Sequence, residues 1–176
     1  MREISIHDMR ESDCEIISSA FASQGWNKPV EQFRVYFSQM QSGARDVLIA
    51  CWHDEFAGYV TIMWQSTYPP FQESSIPEIV DFNVLQKFQR RSVGATLMDE
   101  AERRIALRSP VAGIGVGLTA DYGAAQILYI KRGYLPDGRG VFQSGEHLAY
   151  HDNIFIDDSL ALYLTKTLKS ATESHA

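Results

Sequence analysis

Reactive-thiol and metal-binding chemistry is scarce in this chain. The only cysteines, Cys14 and Cys51, lack metal-ligand spacing and lie among apolar neighbours, so both read as small buried hydrophobes rather than a disulfide or a nucleophile. Histidines are few. His7, His53, His147 and His151 show no ligand pairing, and no Ser-His-Asp or Cys-His order stands out, so no metal is expected. No apolar run approaches the roughly 20 residues needed to cross a bilayer, and the opening MREISIHDMRES is too polar for a signal peptide. No membrane partner is expected, and the cytoplasm is the expected compartment. Blocks of basic residues are also missing. The net charge of -6 arises from mixed acids and bases without long single-sign runs. This argues against nucleic acid as a partner and mildly favours a cationic one. With no repeat, low-complexity tract or linker, residues 1–169 are expected to form one domain and 170–176 a frayed tail.

What is present suffices for a sizeable core, with 45% apolar and 11% aromatic residues in a chain of 176. Residues 1–9 alternate as a first strand. ESDCEIISSAFASQ and PVEQFRVYFSQMQ carry apolar residues at three- and four-residue spacing and read as helices. Between them, in GWNKP, Gly25 and Pro29 break the chain and leave Trp26 on a connection, either folded over helix packing or facing substrate. VLIACW and AGYVTIMW flank the turn HDEF as a β-hairpin. TYPPFQESS reads as a loop, IPEIVDFNV as a fourth strand and GATLMDEAERRIALR as a helix with Leu97, Met98, Ala101 and Ile105 on one face. GIGVGLTA is a fifth strand, and a helix from about 122 to 132 ends at Gly133 with a left-handed cap. Residues 136–157 read as irregular and polar, and SLALYLTKTL closes the sheet. The loop at 136–152 is long enough to serve as a lid or a homodimer contact.

The stretch FQRRSVGATL, residues 88 to 97, joins the fourth strand to a helix. A strand, a short turn and a helix N-terminus present unpaired N–H groups in one direction, and the helix dipole adds partial positive charge. Arg90 and Arg91 supply further positive charge, no acid occurs from 83 to 98, and Gly94 and Ala95 let a ligand approach the backbone closely. From this turn alone, a phosphate site and an ordinary strand-to-helix connection stand equal.

Two motifs in order raise the first reading. Val84, Phe88, Gln89, Ser92, Val93 and Gly94 fall in register with the acetyl-CoA loop of the GNAT superfamily of N-acetyltransferases, which this chain resembles. Tyr122, Ala125, Leu128, Tyr129, Gly133 and Tyr134 meet that family's second signature. Ser92 stands where the first glycine is usual and Tyr122 where an asparagine is usual. If position 92 needs positive φ, serine costs about 1 kcal/mol or more there, with its own hydroxyl as the expected compensation. The resemblance implies an α/β fold (α+β mixed sheet): a mostly antiparallel twisted sheet of about seven strands, splayed between the fourth and fifth and flanked by about four helices.

It also implies an acyltransferase in which a bound amine attacks acetyl-CoA, the co-substrate, directly in a ternary complex. The expected acceptor is the primary amine of a small molecule. A protein N-terminus or lysine, or a non-catalytic acyl-CoA-binding role, are the alternatives. Backbone groups of Gln89, Arg90, Arg91, Ser92, Val93, Gly94 and Ala95 would hold the pyrophosphate. The strand edge at Phe82, Asn83 and Val84 would pair with the pantetheine arm, Tyr122 and Ala125 would lie beside it, and an N–H near Val84 would stabilise the oxyanion. Tyr129 matches the tyrosine that protonates the departing thiolate. An ammonium of pKa about 10 must lose a proton, and Glu78 or Asp81 could accept it. Strand alternation puts Glu78 with Val80 and Phe82 on one face and Asp81 with Ile79 and Asn83 on the other, so one carboxylate is expected to serve unless a bulge intervenes. Glu78 is preferred, with Asp81 as structural partner or substitute. Trp26, Asp157 and Asp158 are further substrate-binding candidates.

Overall fold

The computed structural model describes residues 3–168; the tail expected at 170–176 lies outside them. β1 (Ile4–Asp8) pairs antiparallel with β2 (Arg45–Trp52), and β2 with β3 (Glu55–Met63). His53 and Asp54, the two turn residues, have φ of 46° and 68°. Paired left-handed residues of this kind make the tight hairpin whose twist matches that of its strands. α1 (Asp13–Ala22) and α2 (Val30–Gln41) run between β1 and β2, and Asp13 and Glu15 complement the dipole in the first turn of α1. The stretch read as a loop contains a short helix, α3 (Pro69–Glu73), started by its prolines.

β4 (Glu78–Val84) leads through a single 3-10 turn at Gln86–Phe88 into α4 (Val93–Ala106), then β5 (Val111–Gly117) and α5 (Gly123–Lys131). α5 closes as its KRG ending predicts. Gly133 at φ 89° donates to the Ile130 carbonyl, and the Tyr134 N–H donates to that of Tyr129, a paired left-handed cap. β6 (Leu135–Gln143), β7 (Glu146–His147) and β8 (Ala161–Thr167) complete an eight-stranded sheet in the order β1-β2-β3-β4-β5-β8-β6-β7. Every neighbouring pair is antiparallel except β4 with β5.

β6 and β7 lie within the stretch expected to be irregular. Their pattern is hard to read because β6 is mostly exposed, and Gly138 and Gly140 at φ 83° and 81° interrupt its pairing with β8 between Pro136 and Val141. No apolar alternation survives on so exposed a strand. The arm is fixed by an aromatic cluster instead. Tyr68 stacks on Tyr163 at 3.6 Å, and its hydroxyl donates to Asp137 at 2.7 Å and lies 2.9 Å from His147 Nε2.

β3 is buried from Phe56 to Ile62 without alternation, because helices cover both faces of the sheet. Tyr59 meets Phe21 of α1 and Phe33 of α2 edge-on, so alternation turns Val60 and Ile62 toward the opposite layer, where α4 packs on β2, β3 and β5. α4 buries Val93, Leu97, Met98, Ala101 and Ile105. Its outer side carries Glu100, which bonds Arg103 and Arg104 at 2.8 and 2.9 Å. No helix among the described residues is long and apolar enough to cross a membrane.

Candidate active site between the splayed strands

β4 and β5 pair only at Glu78 with Gly113 and Ile79 with Ile114. Beyond that point they part around a cleft of about 330 Å³. Its walls are β4 from Ile79 to Asn83 and β5 at Gly115 and Val116. Tyr122, Ala125 and Tyr129 stand at the α5 side and Lys28, from the α1–α2 connection, at the other. The cleft therefore passes through the sheet.

A bulge fixes which groups of β4 face this opening. Tyr59 pairs with Asn83 but Thr61 pairs with Val80, so β4 carries one extra residue, and Asp81 takes φ 49° there. The consequence corrects the simple alternation. Val80, Asp81 and Asn83 share the α1–α2 face with Glu78, while Phe82 and Val84 join Ile79 on the α4 face. A Cβ built on Gly94 would lie 3.0 Å from the Phe82 ring and 3.6 Å from Val84. Leu85 N–H bonds the Ala57 carbonyl, so alternation turns the backbone N–H and C=O of Val84 away from β3, into the splay.

Asp81 is saturated with donors. Its Oδ1 accepts from Asn83 Nδ2 at 2.7 Å and Lys28 Nζ at 3.1 Å. Its Oδ2 accepts from Tyr59 at 2.6 Å, Gln32 at 2.9 Å and Tyr36 at 3.0 Å. Burial and then the Asp81 charge raise the hydroxyl pKa of Tyr36 to about 12 and push that of Tyr59 up as well. Glu78 is different. It is 4% exposed, and its Oε2 accepts a hydrogen bond from Ser66. Burial lifts its carboxyl above the usual range, against the Ser66 hydroxyl and the Arg45 charge. Arg45, itself buried, is held by Thr61 at 2.6 Å and Gln39 at 2.7 Å.

Tyr129 is buried, and among the described residues its hydroxyl has no hydrogen-bond partner. Burial, with Tyr122 nearby, raises its pKa, so it stays protonated at neutral pH. The Tyr122 ring lies where a Cβ on Gly117 would come within 2.5 Å of it; burial, then the charges of Asp158, Asp121 and Asp81, raise its pKa.

In the loop after β4, Arg90 and Ser92 have φ of 58° and 62°. Ser92 thus occupies the strained alternative, and its hydroxyl makes no capping hydrogen bond. The expected compensation is not there. Instead the Ser92 carbonyl accepts from both the N–H and the hydroxyl of Thr96 at 2.9 Å. The N–H groups of Val93, Gly94 and Ala95 precede the first intrahelical bond and have no intrahelical acceptor.

Of the remaining candidates, Trp26 stacks on Phe21 at 5.9 Å and does not line the cleft. Asp157 is exposed and caps its own turn through the Ser159 N–H and hydroxyl, which hold its carboxyl below the ordinary range. Asp158 is exposed and reaches the site only through its charge near Tyr122. Sequence reasoning missed Lys28, Gln32, Tyr36, Tyr59 and Ser66. Only the Gln32–Tyr36 spacing, one turn apart on α2, offered a signal.

A mixed sheet is thus splayed at its one parallel pair around a cleft that holds a tyrosine hydroxyl with no partner among the described residues, and the helix start after β4 leaves N–H groups without intrahelical acceptors. The profile of the Acetyltransferase (GNAT) family matches residues 6–134, and the chain belongs to this family. It is an acyltransferase that uses acetyl-CoA. No curated protein matches it significantly in sequence.

Solved structures share the fold at low identity. A GNAT-family acetyltransferase from Desulfovibrio desulfuricans has TM-score 0.70 at 12% identity, over 93% of this chain and 98% of that one. An acetyltransferase from Salmonella typhimurium, solved with acetyl-CoA, has TM-score 0.66 at 16% identity, over 99% and 98%. A second Salmonella typhimurium enzyme, which modifies the N-terminal serine of ribosomal protein L7/L12, has TM-score 0.69 at 11% identity, over 96% and 97%. The residues present fit acetyl-CoA: donors without intrahelical partners for phosphate oxygens, a strand edge that β5 leaves unpaired for the pantetheine amides, and a small residue at Gly94.

Proposed function

We propose that the protein transfers the acetyl group of acetyl-CoA to a primary amine of a small molecule, in a ternary complex. The cleft through the sheet carries this reading. It is lined by Lys28 and Asp81 toward the α1–α2 connection and holds a protonated tyrosine with no other partner among the described residues. Acetyl-CoA, when bound, supplies the activated acyl group. Tyr129 donates its proton to the departing sulfur. The N–H groups of residues 93–95 hold the pyrophosphate, with Arg90 and Arg91 adding positive charge. Glu78 does not line the cleft, sitting where β4 still pairs with β5, so its part as base runs through water; a raised pKa and a single hydroxyl partner leave it basic, whereas five donors occupy Asp81.

One observation favours a protein amine as the second reading. Tyr150 is 97% and Phe155 82% exposed, beside a shallow apolar groove at Leu118, Leu148 and Ile154, which suits a chain lying across the surface. Thiol release from acetyl-CoA over a panel of small amines and amino-terminal peptides separates the two. Small amines should be the better acceptors, and Tyr129→Phe should lower turnover on the order of 100-fold. Release with peptides alone would refute the first reading, and release unaffected by Tyr129→Phe would refute the role given to the tyrosine.

A further inference from the structure

We infer that Asp81 is a positioning residue: its side chain holds the β4 bulge, and the bulge sets which backbone groups meet acetyl-CoA. The inference rests on the reading of the cleft as the acetyl-CoA site.

A non-glycine residue at positive φ inside a strand is costly and persists only where its surroundings impose it. The surroundings here are five donors drawn from the α1–α2 connection (Lys28), α2 (Gln32, Tyr36), β3 (Tyr59) and β4 itself (Asn83). They converge on the one residue of the strand whose φ is 49°. Aspartate suits the position twice over. It tolerates the left-handed region better than most residues, and its carboxylate takes all five bonds.

The result is a shift of phase. Without the extra residue, pairing from Thr61 with Val80 would continue and Asn83, not Val84, would turn its N–H and C=O into the splay. Phe82 would also leave the α4 face, where its ring lies against Gly94 at the phosphate-binding helix. One carboxylate thus keeps the strand edge and the helix start in a common register.

The test is the affinity for acetyl-CoA in Asp81→Ala, Asp81→Gly and Asp81→Asn by calorimetry, with thermal unfolding of each to confirm folding. Alanine loses the clamp and retains the backbone strain, and should weaken binding about tenfold or more. Glycine loses the same bonds but adopts φ 49° freely, and should keep most of the affinity; asparagine should fall between. Tyr36→Phe, which deletes one donor of five, gives a milder version should the others fail to fold, and its affinity should drop by a small factor.

Equal weakening in Ala and Gly would overturn the inference, since the side chain would then matter for its charge. Wild-type affinity in all variants would overturn it as well, because Asp81 would have no hold on the cofactor edge. If the wild-type protein does not bind acetyl-CoA, the reading of the cleft itself fails, a result distinct from either.

Discussion

Ser92 offers a quantitative test of strain in the loop after β4, because its backbone sits at φ 62° while its hydroxyl makes no capping bond. The left-handed conformation costs a non-glycine residue about 1–2 kcal/mol. Replacement by glycine removes this cost but frees the unfolded chain, returning about 0.4–1 kcal/mol. The net gain for Ser92→Gly is about 0.5–1 kcal/mol, a rise in Tm of about 1–4 °C for a chain of this size. Ser92→Ala keeps the strain and deletes only an unpartnered hydroxyl, so it should lie within about 0.5 kcal/mol of wild type. Thr96 bonds the carbonyl of residue 92, which both variants preserve. Urea unfolding without ligand measures the three proteins. Ser92→Gly no more stable than Ser92→Ala would refute the claim of strain, and a loss above about 1 kcal/mol in Ser92→Ala would show that the hydroxyl has a protein partner after all. Repeating the series with acetyl-CoA separates a phosphate contact of the hydroxyl, which would weaken binding in Ser92→Ala without altering the unliganded protein.

Glu78 gives a pH signature. Its folded pKa is raised from 4.5 by burial, so its contribution to stability is complete below the unfolded pKa and is lost as pH rises through the folded one. Glu78→Gln should therefore be more stable than wild type at pH 8 and lose that advantage near pH 4, while thiol release falls; a uniform destabilisation at both pH values would contradict the sign. At Gly117, a Cβ would stand 2.5 Å from the Tyr122 ring. Gly117→Ala must displace that ring, costing about 1–3 kcal/mol and weakening acetyl-CoA binding. Unchanged unfolding and binding would show that the ring is free to move.

The element order was legible because each element of the sheet's centre had a local cause. Period-3.6 apolar spacing marked α4, the short turn HDEF between two apolar runs marked the β2–β3 hairpin, and a basic turn ending in glycine marked the end of α5. β6 was not legible, since an exposed strand broken by Gly138 and Gly140, with only the two-residue β7 beyond it, has no face to write in apolar residues. The loop at 88–97 could be read as a phosphate site only with the help of the second motif, and its cost at Ser92 could be posed but not answered from residue identity.

The candidate site was less legible for a related reason. EIVDFNV reads as seven residues of a strand whose adjacent Ile79 and Val80 break strict alternation, but those letters do not say that Asp81 leaves the strand region. The cause lies in donors 22 to 53 residues away in sequence, at Tyr59, Tyr36, Gln32 and Lys28. Alternation is a property of a strand's own backbone, whereas the bulge is a property of what surrounds it. Two carboxylates expected on opposite faces consequently share one face, and they differ in environment rather than direction: Glu78 is buried with a hydroxyl, Asp81 is ringed by five donors. The difference between the two carboxylates is thus set by the neighbours each one meets, information that the spacing of Glu78 and Asp81 within β4 does not contain.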